Sequence, residues 1–217
     1  MEKKLFINKP FRYRYFYATA IIVALNVLVF LAGAVNPRIY MYIQSLGGLS
    51  VTGCFHYHFW WQPVSYMFVH ANWSHLIFNM LGLLCFGFIV ERTIGSFEFL
   101  LFYFVCGIFD GLISLLMYRL LGVNTLLVGA SGAIYSILLM YAVLFPRSII
   151  RIWGIIPVPA PVLVLLYAIV EIVSQFFGQA GVAHLTHLTG FVMAFIYILI
   201  RMRVNPVKVW IEAYRRR

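Results

Sequence analysis

The chain has 217 residues, of which 64% are hydrophobic and only 10% charged. Soluble domains carry about 25% charged residues, so composition alone excludes an ordinary soluble fold. The net charge of +10 would suit nucleic acid. The cations flank apolar stretches, however, so the expected partner is a lipid bilayer and no nucleic acid.

In chain order, residues 1–16 read as a basic, aromatic cytoplasmic tail that anchors topology at anionic lipid. Six apolar stretches follow: Tyr17–Val35, Trp73–Val90, Phe99–Tyr118, Ser131–Phe145, Pro159–Phe177 and Ala183–Ile200. A spanning helix needs about 20 residues, and most of these qualify. Ser131–Phe145 would reach only about 22 Å at 1.5 Å per residue, so it is expected to start below the membrane surface. The predicted fold is an all-α membrane protein. It is a six-transmembrane-helix bundle over residues 17–202, with a long interfacial first loop, a short central fourth helix and a basic cytoplasmic tail at 203–217.

The first loop, roughly 36–72, carries Tyr40, Tyr42, Phe55, Tyr57, Phe59, Trp60 and Trp61. That aromatic density fits a segment lying in the headgroup layer. Gly47-Gly48 and Gly53 divide it into short pieces. Pro157, Pro159 and Pro161 mark the start of the fifth stretch, where they cost few helix hydrogen bonds.

With six spans, 14 basic residues fall on the side of the two termini and 2, Arg38 and Arg119, on the other. The positive-inside rule then puts both termini in the cytoplasm. The expected location is a bacterial inner membrane. Ala32-Gly33-Ala34 resembles a signal-peptide cleavage site, but cleavage would strand the termini on opposite sides, against the charge pattern. Cys54, Cys85 and Cys106 form no CxxC pair and say little about redox compartment.

Polar groups at membrane depth are expensive and are functional candidates by default. Here they include Asn26, His70, His75, Asn79, Asp110, Ser131, Ser136, Glu171, His184 and His187. Ser131 sits in Gly129-Ala130-Ser131-Gly132-Ala133 and would open a helix, where an unpaired amide and the positive dipole end suit an oxyanion. The same run of small residues reads equally as a helix-packing surface. His75 and Asn79, four apart, share a helix face and suit either oxyanion contacts or interhelical hydrogen bonds. His184 and His187 also share a face, together with Gly190 and Ala194, and spacing does not choose between the two histidines. A serine becomes a useful nucleophile when a base takes its proton, a task histidine fits.

Trp61, His70, His75, Asn79, the run from Gly129 to Ala133, and His187-Leu188-Thr189-Gly190 together resemble the rhomboid family of intramembrane serine proteases. Glu91-Arg92 followed by Gly95 resembles an acid–base pair placed after the family's second helix, and Tyr135 resembles an aromatic packed on its base. The likeness runs from about Trp61 to Ala194. It departs at Ala194, where glycine is expected, and at Gln62, where some members have arginine.

The resemblance implies a Ser131–His187 dyad with no third carboxylate. His75, Asn79 and the Ser131 amide would form the oxyanion hole, supported by Gly129 and Tyr135. It implies an endopeptidase that cuts transmembrane protein substrates with no cofactor and no metal. Asp110 reads as a packing or lipid-cavity group, and Glu171 is given no role. Two rivals are a catalytically inactive rhomboid-like binding protein and a histidine-based metal-binding membrane protein using His70, His75, His184 and His187. The chain lacks His-Glu-x-x-His, which argues against a zinc protease.

Overall fold

The computed structural model describes residues 11–152, 154–177 and 181–215, the side chains of 175–177 and 181–185 excepted. Its helices are α1 (Ala18–Ala34), α2 (Pro37–Gly47), α3 (Gln62–Ser65), α4 (Trp73–Gly82), α5 (Phe88–Ile94), α6 (Ser96–Leu120), α7 (Ser131–Leu144), α8 (Ala160–Phe177), α9 (Gly181–Tyr197) and α10 (Pro206–Arg215). Between α7 and α8 lies a hairpin of β1 (Ile149–Ile152) and β2 (Ile156–Pro159). A π-helical turn, Leu83–Gly87, joins α4 and α5 into one 22-residue helix, Trp73–Ile94.

Among the described residues that helix and α6 are the two long and apolar enough to cross a membrane by length and composition. Thr186–Met202 with Pro206–Arg215, bent by 85°, adds a third if the pair forms one span. Helices α1, α7 and the Ala160–Ser174 part of α8 are apolar but shorter. Helix α7 is apolar all round and central. Its Ala133, Ile137, Leu139, Met140 and Ala142 are buried, as expected of a helix without a polar face. The periphery exposes Leu28, Phe78, Leu116, Leu165 and Ile169, an apolar exterior suited to lipid.

Local chemistry sets the helix ends. Asn36 and Asn72 cap α2 and α4, accepting from the amides of Arg38 and His75, each at 2.8 Å. Helix α1 has no cap of its own. The Glu91 carboxylate on α5 accepts instead from the Ala18 and Thr19 amides at 2.7 and 2.9 Å. Gly95 has φ +86° and breaks the chain between α5 and α6.

Three features differ from the sequence expectation. Glu91-Arg92 lie inside helix α5 rather than after the second helix, because the turn waits for Gly95. The fold is not purely helical, since Ile149–Ile152 pairs antiparallel with Ile156–Pro159. Pro157 and Pro159 fit there because each strand of a two-stranded hairpin is an edge, where a missing N–H is tolerated. The C-terminal tail contains helix α10, docked at the base of α7 by the Trp210 indole N–H on the Ala142 carbonyl (2.9 Å) and the Tyr214 hydroxyl on that of Pro146 (2.8 Å). The first loop is itself helical, and the Trp61 indole donates to the Leu46 carbonyl at 2.8 Å.

Candidate active site

Helix α7 begins at Ser131, leaving the Ser131 amide without an intrahelical acceptor. Gly129, two residues earlier, has φ +109°, and a Cβ there would lie 2.5 Å from His75 Nε2. Both facts require glycine, so the sequence packs His75 directly over the turn that presents Ser131.

His187 arrives from α9. The two helices approach closely because Gly190 faces backbone: a Cβ on it would sit 2.4 Å from the Gly132 carbonyl oxygen. The Ser136 hydroxyl lies between the Gly132 and Gly190 carbonyls, at 3.0 and 2.7 Å. This seam leaves His187 Nε2 3.0 Å from Ser131 Oγ. The Tyr135 ring stacks on the imidazole, with centroids 4.7 Å apart and an interplanar angle of 7°. Of the two neighbouring histidines, the structure therefore brings His187 to Ser131, while the His184 side chain lies outside the described residues.

Glu171, given no role from the sequence, lies beside His187. Its Oε1 lies 3.0 Å from His187 Nδ1 and accepts the Tyr135 hydroxyl at 2.5 Å. The sequence held one signal for it, an acid in an otherwise apolar stretch. Its partners sit on two other helices, which periodicity alone does not identify.

Asn79 is buried one turn beyond His75, and its amide donates to the His75 carbonyl at 2.7 Å. An amide carries two hydrogens, so one remains available. The Ala71 N–H makes a long 3.5 Å contact to His75 Nδ1, which favours a proton on Nε2, the atom beside Gly129. His75, Asn79, Ser131, Tyr135 and His187 line a single cavity of about 490 Å³. Phe78, Gly82 and Phe86 wall one side, Leu163 and Tyr167 of α8 another, and Ile150 and Ile152 of the hairpin a third.

His70 packs its ring on His75 at 5.0 Å, edge to face. Its loop is held by α2, with Gln44 donating to the His70 carbonyl at 2.9 Å and Tyr40 to that of Ala71 at 2.7 Å. Burial, then the neighbouring His75, lowers the His70 pKa to about 4. Asp110 lies beneath Gly132, accepting from the Thr189 hydroxyl and, at 3.4 Å, from Tyr66. These contacts link α6 to α9 and to the first loop. Among the described residues no three His, Cys, Asp or Glu side chains are placed to hold a metal ion.

Residues 57–204 match the family model described as the rhomboid domain, and that span contains every residue of this cavity. The chain belongs to the rhomboid family. Relatives include RHOMBOID-like protein 4 of Arabidopsis thaliana, 29% identical over 171 residues, covering 78% of this chain and 41% of the relative. Rhomboid-like protein 11, chloroplastic, of the same plant is 41% identical over 78 residues, or 36% of this chain and 27% of that one. Rhomboid protease GluP of Bacillus subtilis is 34% identical over 92 residues, or 42% of this chain and 18% of the relative. The chain thus spans less than half the length of these rhomboid relatives. Membership of the rhomboid family and the apolar helices make this an integral membrane protein.

Proposed function

We propose that the protein is an intramembrane serine endopeptidase acting on transmembrane segments of other membrane proteins. The observation that carries this reading is the 3.0 Å contact between His187 Nε2 and Ser131 Oγ inside an apolar, cavity-lined helix bundle. In this reading the bundle crosses the bilayer six times, through α1, α4 continued by α5, α6, α7, α8 and α9. Both termini face the cytoplasm, and the host membrane is a bacterial cell membrane.

The chemistry follows from the atoms. A substrate helix must unwind locally, since a helical carbonyl is engaged in its own hydrogen bond. Ser131 Oγ attacks the carbonyl carbon as its proton moves to His187 Nε2. The resulting oxyanion takes hydrogen bonds from the Ser131 amide, His75 and Asn79. His187 then passes the proton to the leaving amine, which departs and leaves an ester on Ser131. Water, deprotonated by His187, hydrolyses that ester. The steps use side chains, the Ser131 backbone amide and one water molecule. An inactive membrane-binding relative is the rival reading, and the hydroxyl–imidazole contact favours the enzyme.

A fluorophosphonate probe on the detergent-solubilised protein tests the proposal. Labelling is expected, with loss in both Ser131→Ala and His187→Ala and retention in His184→Ala. Labelling that persists in Ser131→Ala puts the nucleophile elsewhere. A dead His184→Ala beside an active His187→Ala reassigns the base.

A further inference from the structure

We propose that Glu171 is a positioning residue of this site: it holds His187 in the tautomer that serves Ser131 and steadies the imidazole while it carries the proton. The inference rests on the reading of Ser131 and His187 as nucleophile and base.

Two donors on different helices converge on one carboxylate oxygen. His187 Nδ1 of α9 lies 3.0 Å from Glu171 Oε1, and the Tyr135 hydroxyl of α7 donates to the same atom at 2.5 Å. A carboxylate only accepts, so the proton of a neutral His187 sits on Nδ1. That leaves the Nε2 lone pair facing the Ser131 hydroxyl, the arrangement a general base needs. When the imidazole gains the second proton, the carboxylate at its back stabilises the positive charge, as the buried acid does in Ser-His-Asp hydrolases.

Tyr135 has two tasks in this arrangement. Its ring lies parallel to the imidazole, and its hydroxyl fixes the carboxylate that holds the same imidazole. The other buried carboxylates face different partners: Glu91 caps α1, Glu98 pairs with Arg201 at 2.8 Å, and Asp110 takes the Thr189 hydroxyl. Glu171 faces the proposed base. An acid buried within an apolar helix is costly, and this contact gives it a function.

The test measures cleavage of a model transmembrane substrate in detergent and in vesicles, with thermal stability followed in parallel. Glu171→Gln is expected to lower kcat about 10²–10⁴-fold, by analogy with amide replacement in a hydrolase triad, while KM stays within about twofold and the protein remains folded. Glu171→Asp, which keeps the charge but withdraws it by one methylene, should recover part of the rate. Tyr135→Phe keeps the stack, loses the bond to the carboxylate and should show a smaller kcat loss. In a Ser131→Ala background, Glu171→Gln should cost nothing more, because residues acting as a unit are not additive.

An unchanged kcat in folded Glu171→Gln, with Ser131→Ala inactive, overturns this proposal and leaves the protease reading intact. A kcat loss that tracks lost thermal stability and is not recovered by Glu171→Asp also overturns it, making the residue structural. If Glu171→Gln does not fold, Glu171→Asp decides alone: a kcat drop at constant KM supports the role, and wild-type kcat overturns it. Fluorophosphonate labelling that survives Ser131→Ala instead removes the reading beneath it.

Discussion

Two sides of the cavity are built differently. Toward α6 and α9, helix α7 is held by backbone-to-backbone approach at Gly132 and Gly190, by Ser136 between two carbonyls, and by the buried Asp110 clasp. Toward α4 and α8 the cavity is bounded by side chains: Phe78, Phe86, Leu163 and Tyr167. The first side has no slack, since a single methyl group would meet backbone or carboxylate. The second can rearrange by rotating rings and aliphatic chains. In the proposed function the rigid side fixes Ser131 against His187 and the compliant side admits a bulky chain.

The largest of these effects tests that division, because Asn79, like His75 on α4 and Glu171 on α8, sits on the compliant side yet is assigned to the chemistry. Asn79→Ala should fold normally and lose about 10²–10³ in kcat, the usual worth of one oxyanion donor. A variant changed only in melting temperature would return Asn79 to a purely structural role. Next, Gly190→Ala pushes a methyl onto the Gly132 carbonyl and separates Ser131 from His187. A shift of about 1 Å costs about 10² in rate, and overpacking costs about 1–3 kcal/mol. Denaturation and turnover measured together should both fall; a normal pair of values would show that the seam has slack after all.

Asp110→Ala removes one acceptor of the Tyr66 and Thr189 hydroxyls, which keep the Gly107 and Thr186 carbonyls at 2.6 and 2.7 Å, costing about 0.5–1.5 kcal/mol in stability with a smaller effect on kcat. The reverse ranking, lost turnover with an unchanged melting curve, would move Asp110 into the chemistry. On the compliant side, Phe78→Ala should raise KM a few-fold and change stability by about 0.5 kcal/mol or less, since the ring is exposed. A kcat loss as large as that of Gly190→Ala would erase the distinction between the two sides.

The last prediction concerns pH. His70 has a folded pKa of about 4, below its unfolded value of about 6.5. The unfolded chain therefore binds the extra proton first. The stability tied to neutral, buried His70 is complete above about pH 6.5 and is lost as pH falls through about 4. Thermal melts across that window should decline, and His70→Gln should flatten the decline.

Much of this was legible because apolar runs and polar interruptions are local signals. The stretch Trp73–Val90 contains most of the helix Trp73–Ile94, and Gly129, Ser131 and Gly132 announced a helix start. The hairpin was not legible: Pro157 and Pro159 read as punctuation, and nothing in four-residue strands outweighs that. The helix α10 was hidden by its own charges, which mark a tail as readily as an amphipathic helix. Glu171 was hidden for another reason. Its value depends on which helices flank α8, a tertiary fact that no sequence interval encodes.

The capping of α1 by Glu91 bears on biogenesis. The Ala18 and Thr19 amides receive their acceptor from a residue more than seventy positions downstream. In the proposed six-span reading, the first helix enters the bilayer during synthesis with those donors unanswered, because residue 91 has not yet emerged from the ribosome. Its final seat is therefore set late, once the long loop and the second apolar helix have been delivered. A translational pause before that point would leave an α1 that is inserted but not yet latched, open to quality-control proteases.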